Sequence, residues 1–110
     1  MDESRVVKVA RAIADSTRYR MLQEIQAAGE MTCGELQARF PLSQATVSHH
    51  IKTLEQAGLL RVRPQGLFRH LSAEPGCVSA FANRLLEKLC GAVQAAGVSA
   101  PERKARRPRR

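Results

Sequence analysis

The sequence predicts a mainly α-helical domain of five helices, with one small β-hairpin between the fourth and the fifth helix. Two patterns predict it: apolar residues recur at helical spacing in five segments, and two short alternating segments flank a turn that contains proline and glycine. Aromatic residues make up only 4% of the 110 residues, so aliphatic residues and alanine must build the core. This length suits one domain, which we expect over 1–97, followed by a basic, disordered tail at 98–110.

The first three helices are predicted from their apolar spacing and from their boundary residues. Helix 1 is expected over 4–14, and helix 2 follows it and ends at Gly29. Thr32 and Glu35 form a capping-box pattern, which predicts that a third helix begins here and continues through Phe40. The inner face of helix 2 is predicted to consist of Tyr19, Leu22, Ile25 and Ala28.

The remaining elements are a fourth helix, the hairpin and a fifth helix. Ser43 is the predicted N-cap of helix 4, whose apolar positions continue to Ala57 before a glycine. The two hairpin segments are expected at 59–63 and 67–71, with a Pro-Gln-Gly turn between them. Helix 5 is expected over 77–96, where a broad apolar stripe recurs at helical spacing.

The charge of the chain indicates an anionic partner. The formal net charge is +8 and the pI is about 10.5, which favours nucleic acid first and a membrane surface second. Six of the eighteen Lys and Arg residues fall in the last ten positions, so the folded part is only mildly basic. No apolar run is long enough to span a membrane, and three widely spaced cysteines do not suit a secreted disulfide framework. We therefore expect a cytoplasmic protein without a membrane partner.

Helix 4 and the hairpin contain the residues that point to double-stranded DNA. A short break between two helices, followed by a basic hairpin, is typical of a winged helix-turn-helix, in which the second helix enters the major groove. The predicted recognition residues are polar or basic side chains that can reach base edges or phosphates: Ser43, Gln44, Thr46, Ser48, His49 and Lys52. The predicted phosphate-binding residues of the hairpin, or wing, are Arg61, Arg63, Arg69 and His70. The alternative interpretation is that both sets are merely solvated surface residues.

Four separated motifs resemble the ArsR/SmtB family of bacterial repressors. They lie at 14–22, 35–36, 42–60 and 66–70, in the order and at the distances that the family has, and the resemblance covers about residues 5–95. It implies a homodimer that binds an inverted repeat in DNA and is released by a ligand or an oxidant. The implied dimer interface is formed by helices 1 and 5 and includes Val6, Val9, Ile13, Val78, Phe81, Leu85 and Leu89.

The metal sites of that family are incomplete in this sequence. The site on helix 3 needs a Cys-x-Cys pair, but only Cys33 is present, and the predicted helix 5 contains no histidine. We therefore expect no metal and no cofactor. Cys33, Cys77 and Cys90 could still form a soft-metal or redox sensor, although structural thiols are the favoured interpretation. His49 is predicted to contact DNA, and His50 to pack inside the domain.

A sequence-specific repressor is the preferred function, and three others compete with it. They are a charge-driven nucleic-acid binder without sequence preference, a protein-interaction module, and a sensor that uses the three thiols. No carboxylate lies between Ser43 and Lys52, which argues against an interaction module that has lost DNA binding. No phosphate-binding loop, nucleophile elbow or metallohydrolase motif is present, so we do not expect an enzyme. The sequence leaves the operator and the inducer open.

Overall fold

The computed structural model describes residues 1–91, and in this range it confirms the predicted fold class of five α-helices with a small hairpin. The last predicted turns of helix 5 and the tail at 98–110 lie outside the described residues. The elements are α1 (Glu3–Ile13), α2 (Ser16–Ala28), β1 (Met31–Thr32), α3 (Cys33–Gln37), α4 (Gln44–Gln56), β2 (Leu60–Gln65), β3 (Phe68–Ala73) and α5 (Pro75–Leu85), which continues into a π-helical turn (Leu86–Cys90).

Side chains that cap the free backbone N–H groups fix the starts of the first four helices. Asp2 and Asp15 accept from the backbone N–H groups three residues further on, at 2.8 and 3.0 Å. Thr32 and Glu35 form the predicted capping box, with reciprocal bonds of 3.1 and 2.8 Å. Ser43 caps α4 in the same way at 3.1 Å. Each cap of this kind contributes about 1 kcal/mol to helix stability.

The hairpin belongs to a three-stranded antiparallel sheet with the strand order β1-β3-β2. β1 is not predicted from the sequence, because two residues are too few to produce an alternating pattern. β1 pairs Met31 with Leu71 and Thr32 with His70, so it attaches only the inner half of the hairpin to the helices.

The turn of the hairpin lies further along the chain than predicted. Gln65 pairs with Phe68, so the turn consists of Gly66 and Leu67 rather than of 64–66. Gly66 has a φ of 63°, a conformation that glycine adopts without strain. Pro64 lies inside β2, opposite Arg69. A proline is tolerated there because β2 is an edge strand.

Two helix boundaries also differ from the prediction. α3 ends at Gln37, and the chain makes turns from there to Phe40 instead of continuing as a helix. α5 begins at Pro75 rather than at residue 77. The sequence predicts that Pro75 ends the hairpin, but it occupies the first turn of a helix, where its missing N–H costs nothing.

The core lies between the first four helices and the inner face of the sheet. Its largest fully buried side chains are Val9, Met21, Ile25, Leu36, Val47, Leu54, Leu59 and Leu71. The predicted inner face of α2 is partly wrong: Tyr19 is 52% exposed and Ala28 is exposed, whereas Met21 is buried. α5 has no buried residue in its described part, so this helix lies against the edge of the domain.

Candidate DNA-binding surface

Burial of one face of α4 turns its polar face towards solvent. Val47, Ile51 and Leu54 are at most 3% exposed, which fixes the rotation of the helix about its axis. The residues predicted to recognise DNA all lie on the exposed side: Ser43, Gln44, Thr46, Ser48, His49 and Lys52. The core of the domain thus presents one polar helix face, as entry into a major groove requires.

Ser43 has a structural task at the start of this helix. Its Oγ accepts from the backbone N–H of Thr46 at 3.1 Å and donates to the Thr46 hydroxyl at 2.9 Å. Because the Ser43 side chain caps the helix, its main role is to position Gln44, the first helical residue, and not to contact DNA itself. The amide of Gln44 is the group at this end that can both donate to and accept from a base edge.

His50, on the other side of α4, connects the recognition helix to α1 and α2. Arg18 Nη1 lies 3.2 Å from His50 Nδ1. The same guanidinium donates to the carbonyls of Ala12 and Arg11 at the end of α1, at 2.8 and 3.2 Å. Since arginine can only donate, His50 Nδ1 is the acceptor and the ring is neutral. The inward packing predicted for His50 is what the structure has.

The electrostatics of this contact agree with a neutral ring. Burial lowers the pKa of His50, Asp15 opposes that shift, and Arg18 adds to it. The backbone N–H of Arg18 lowers the pKa of Asp15, which also lies 3.8 Å from the guanidinium. Arg18 and His50 therefore add a polar contact between α4 and the first two helices, and the sequence does not reveal it because the two residues are 32 positions apart.

The two faces of the hairpin separate the basic residues of the wing. Alternation along β3 places Arg69 on the same face as the buried Leu71, and Arg69 shares a cleft with Ser48 and Lys52 of α4. His70 lies on the opposite face, beside its cross-strand partner Arg63. The arginines predicted to form one phosphate-binding set therefore point to opposite faces of the hairpin.

The arginines on the outer face are paired with carboxylates of the same chain. Arg61 Nε lies 2.8 Å from Glu74 Oε2, and Arg63 Nη2 lies 2.6 Å from Glu30 Oε2. Neither ion pair is predicted from the sequence, because neither glutamate is close in sequence to its arginine partner. In the unbound chain these two guanidinium groups are therefore paired with carboxylates. The prediction, by contrast, treats both as free to bind phosphates.

The tip of the wing is apolar. Leu67 is 98% exposed and Phe68 is 62% exposed. The sequence predicts Leu67 within a strand, but the pairing of Gln65 with Phe68 puts it in the two-residue turn at the tip.

The outer side of α1 and α5 has exposed apolar residues, but one predicted interface residue does not belong to them. Val9 has no accessible surface because it packs in the core of its own chain, so it has none to offer to a partner. Val78 and Leu89 are 45% and 77% exposed. A groove between the start of α1 and the end of α5 is lined by Glu3, Val6, Arg84, Leu85, Lys88 and Leu89. Ile13 and Phe81 are half-buried against the core.

The three cysteines are free thiols on separate parts of the fold. Cys33 begins α3 and is half-buried, and burial raises its pKa in spite of the nearby charge of Arg69. Cys77 lies near the Ala57 carbonyl, with a weak bond of 3.8 Å, and Cys90 is exposed. Among residues 1–91 no group of three His, Cys, Asp or Glu side chains is arranged to hold a metal ion.

Comparisons with known proteins agree with this arrangement. A family model described as a helix-turn-helix domain matches residues 13–63. The chain is 34% identical to the transcriptional repressor SdpR of Bacillus subtilis (strain 168), over 58% of this chain and 70% of that one. It is 32% identical to a possible transcriptional regulator for arsenical resistance, whose crystal structure aligns with a TM-score of 0.64 over 74% of this chain and 82% of the other. This chain belongs to the ArsR family.

A further relative of this ArsR-family chain is known in solution. It is the homodimeric winged helix-turn-helix DNA-binding domain of a possible ArsR-family regulator from Mycobacterium bovis, with 20% identity, a TM-score of 0.64 and 80% of each chain covered. At that identity the likeness concerns the fold alone. The family consists of transcription regulators, which are not enzymes. In the part of the chain that the structure describes, no helix is both long and apolar enough to cross a membrane.

Proposed function

We propose that this ArsR-family chain is a sequence-specific repressor that binds double-stranded DNA in the cytoplasm as a homodimer on an inverted repeat. The observation that supports it best is the exposed face of α4, which presents only polar or basic side chains from Ser43 to Lys52, apart from Ala45. The opposite face is held by the core, so the polar face has a fixed direction.

The side chains of α4 and the wing divide into base-reading and phosphate-binding groups. Gln44 is the residue we assign to a base edge, because a side-chain amide can pair bidentately with adenine. Thr46 and Ser48 follow it along the exposed face, as donors to bases or phosphates. Lys52 and Arg69 share a cleft and are assigned to phosphates on the side nearer the wing.

The dimer is proposed to form through the outer side of α1 and α5. The exposed Val78 and Leu89 and the neighbouring groove form an apolar surface that a second copy of the chain could cover. The homodimeric relative has the same fold. A two-fold symmetric dimer presents two copies of α4, and this matches two half-sites of an inverted repeat. The dimer contacts proposed here are Val6, Ile13, Val78, Phe81, Leu85 and Leu89, without Val9.

Release from DNA by a small molecule or an oxidant is part of the proposal. Cys33 is the thiol next to the recognition helix, since it lines a cleft together with Gln44 and Ser48, but burial raises its pKa and so favours the less reactive thiol form. A bulky adduct at this position would push against α4.

The test is binding of the full chain to the DNA that precedes its own gene, compared with scrambled duplex of equal length. Fluorescence anisotropy at two salt concentrations gives both affinities, and sedimentation gives the oligomeric state. A preference of about 10³-fold or more, with a dimer on the preferred site, is the expected result. Equal binding that falls steeply with salt would instead indicate the charge-driven binder. Repeating the titration with diamide or As(III) tests whether the thiols act as a sensor. Loss of DNA binding under either reagent would indicate that they do.

A further inference from the structure

A single carboxylate, that of Glu30, contacts both strands of the wing. Glu30 directly precedes β1, and its Oε2 lies 2.6 Å from Arg63 Nη2 and 2.9 Å from His70 Nδ1. Arg63 and His70 are cross-strand partners on β2 and β3. A single oxygen atom therefore contacts both strands at the same level of the hairpin.

That level is where support from the third strand ends. Thr32 pairs with His70, and this is the last contact that β1 makes with the hairpin. Beyond it only β2 and β3 continue, through Pro64 opposite Arg69 and Gln65 opposite Phe68. Glu30 thus contacts the hairpin at the level where its two-stranded outer part begins.

The same contact also determines the charge that the wing presents. Arg63 and Glu30 are 51% and 45% exposed, so solvent and a DNA phosphate can reach the pair. Arg63 further donates to Gln65 Oε1 at 2.8 Å, which keeps its guanidinium along the strand. An arginine paired with a carboxylate forms a pair without net charge, and a phosphate that binds this arginine competes with the carboxylate.

We propose that Glu30 is a positioning residue, which holds Arg63 as an internal ion pair and so lowers the affinity of the wing for DNA phosphates whatever the base sequence. The inference depends on the proposed function, because it assumes that the wing lies next to DNA. Binding without sequence preference is driven by phosphate contacts that release counterions. Withholding one arginine weakens that binding, whereas base contacts of α4 are unaffected.

The experiment measures binding of the full chain with Glu30→Gln to a scrambled 30-base-pair duplex over a range of salt concentrations. Glutamine keeps the length and an acceptor oxygen but removes the charge. We expect affinity for the scrambled duplex to increase about three- to tenfold near 0.1 M salt, and the salt slope to steepen by about 0.9. The affinity for the specific site should increase by a similar factor, because a phosphate contact of Arg63 does not depend on the base sequence. An unchanged slope and affinity would overturn the proposal.

Two controls separate this explanation from a general charge effect. Glu24→Gln adds the same charge and breaks a pair with Arg39 that has the same 2.6 Å distance and similar exposure. If it has the same effect as Glu30→Gln, net charge is the cause and the proposal is wrong. In a chain with Arg63→Ala, Glu30→Gln should have no further effect on the salt slope. An equally large change in that background would show that Arg63 is not the group released.

Failure of the inference and failure of the proposed function give different results. If the wild-type chain binds no duplex at all, the proposed function fails. If the wild type prefers its site but Glu30→Gln behaves like the wild type, only the role of Glu30 is refuted. The thermal midpoint of each variant, which should match that of the wild type, shows that the fold is retained.

Discussion

The recognition helix and the wing are both polar surfaces of the same domain, but they are built differently. α4 has one face buried in the core, and the side chains of its other face extend into solvent from a fixed position. The wing has no core beneath its outer half, and the charges on its outer face are compensated by Glu30 and Glu74. Polar groups on α4 are positioned by packing, whereas those on the wing are positioned by other charges. This difference predicts separate consequences for stability and for binding.

The largest expected effect is on the packing of α4. Leu54→Ala removes a side chain with no exposed surface and should lower the free energy of unfolding by about 2–5 kcal/mol. Leu67→Ala, at the tip of the wing, removes a side chain that is 98% exposed and should change that free energy by less than about 0.5 kcal/mol. Urea unfolding followed by circular dichroism measures both. A large loss of stability with Leu67→Ala would mean that the wing tip packs against something in solution.

The second-largest expected effect is on DNA binding, where two substitutions distinguish base contacts from phosphate contacts. Gln44→Ala should weaken binding to the specific site by about 1–3 kcal/mol and leave binding to scrambled duplex unchanged, because it removes only a base contact. Arg69→Ala should weaken binding to both duplexes and lower the salt slope by about 1. Salt-dependent anisotropy titrations of the two variants measure this. If Gln44→Ala weakened binding to both duplexes equally, the recognition face of α4 would be assigned wrongly.

The smallest effect concerns the contact that holds α4 against α1 and α2. Burial lowers the pKa of His50 below its ordinary value of about 6.5, so the folded chain binds fewer protons at this ring than the unfolded chain does. The contribution to stability is therefore complete above about pH 6.5 and is lost as the pH falls below it. Arg18, Asp15 and His49 are the charged or titratable groups that influence the ring.

Unfolding of wild type and His50→Gln between pH 5 and 8 checks this expectation. The variant should lose the pH dependence of this group, because the glutamine amide does not titrate. Asp15, whose pKa is also lowered, would lose its contribution only at much more acidic pH and does not interfere. A stability that rises as the pH falls from 6.5 would contradict the assignment of a neutral His50.

Most of the helical framework could be predicted because its signals are local. The capping box of Thr32 and Glu35 and the cap at Ser43 are read from four consecutive positions, and they fixed the starts of α3 and α4 correctly. The exposed face of α4 followed from the apolar spacing of Val47, Ile51 and Leu54. One of the errors occurred where a residue has two local uses: Pro75 can end a hairpin or begin a helix.

The sequence by itself determined the fold class, the family and the polar face of the recognition helix, because periodicity and capping depend on near neighbours in the chain. Only the tertiary structure decided which of these polar groups are available. Glu30 and Arg63 are 33 residues apart, and they meet because β3 pairs with both β1 and β2. His50 and Arg18 meet only because α1, α2 and α4 pack together. The number of charges can be counted in a sequence, but their pairing depends on which elements the core brings into contact.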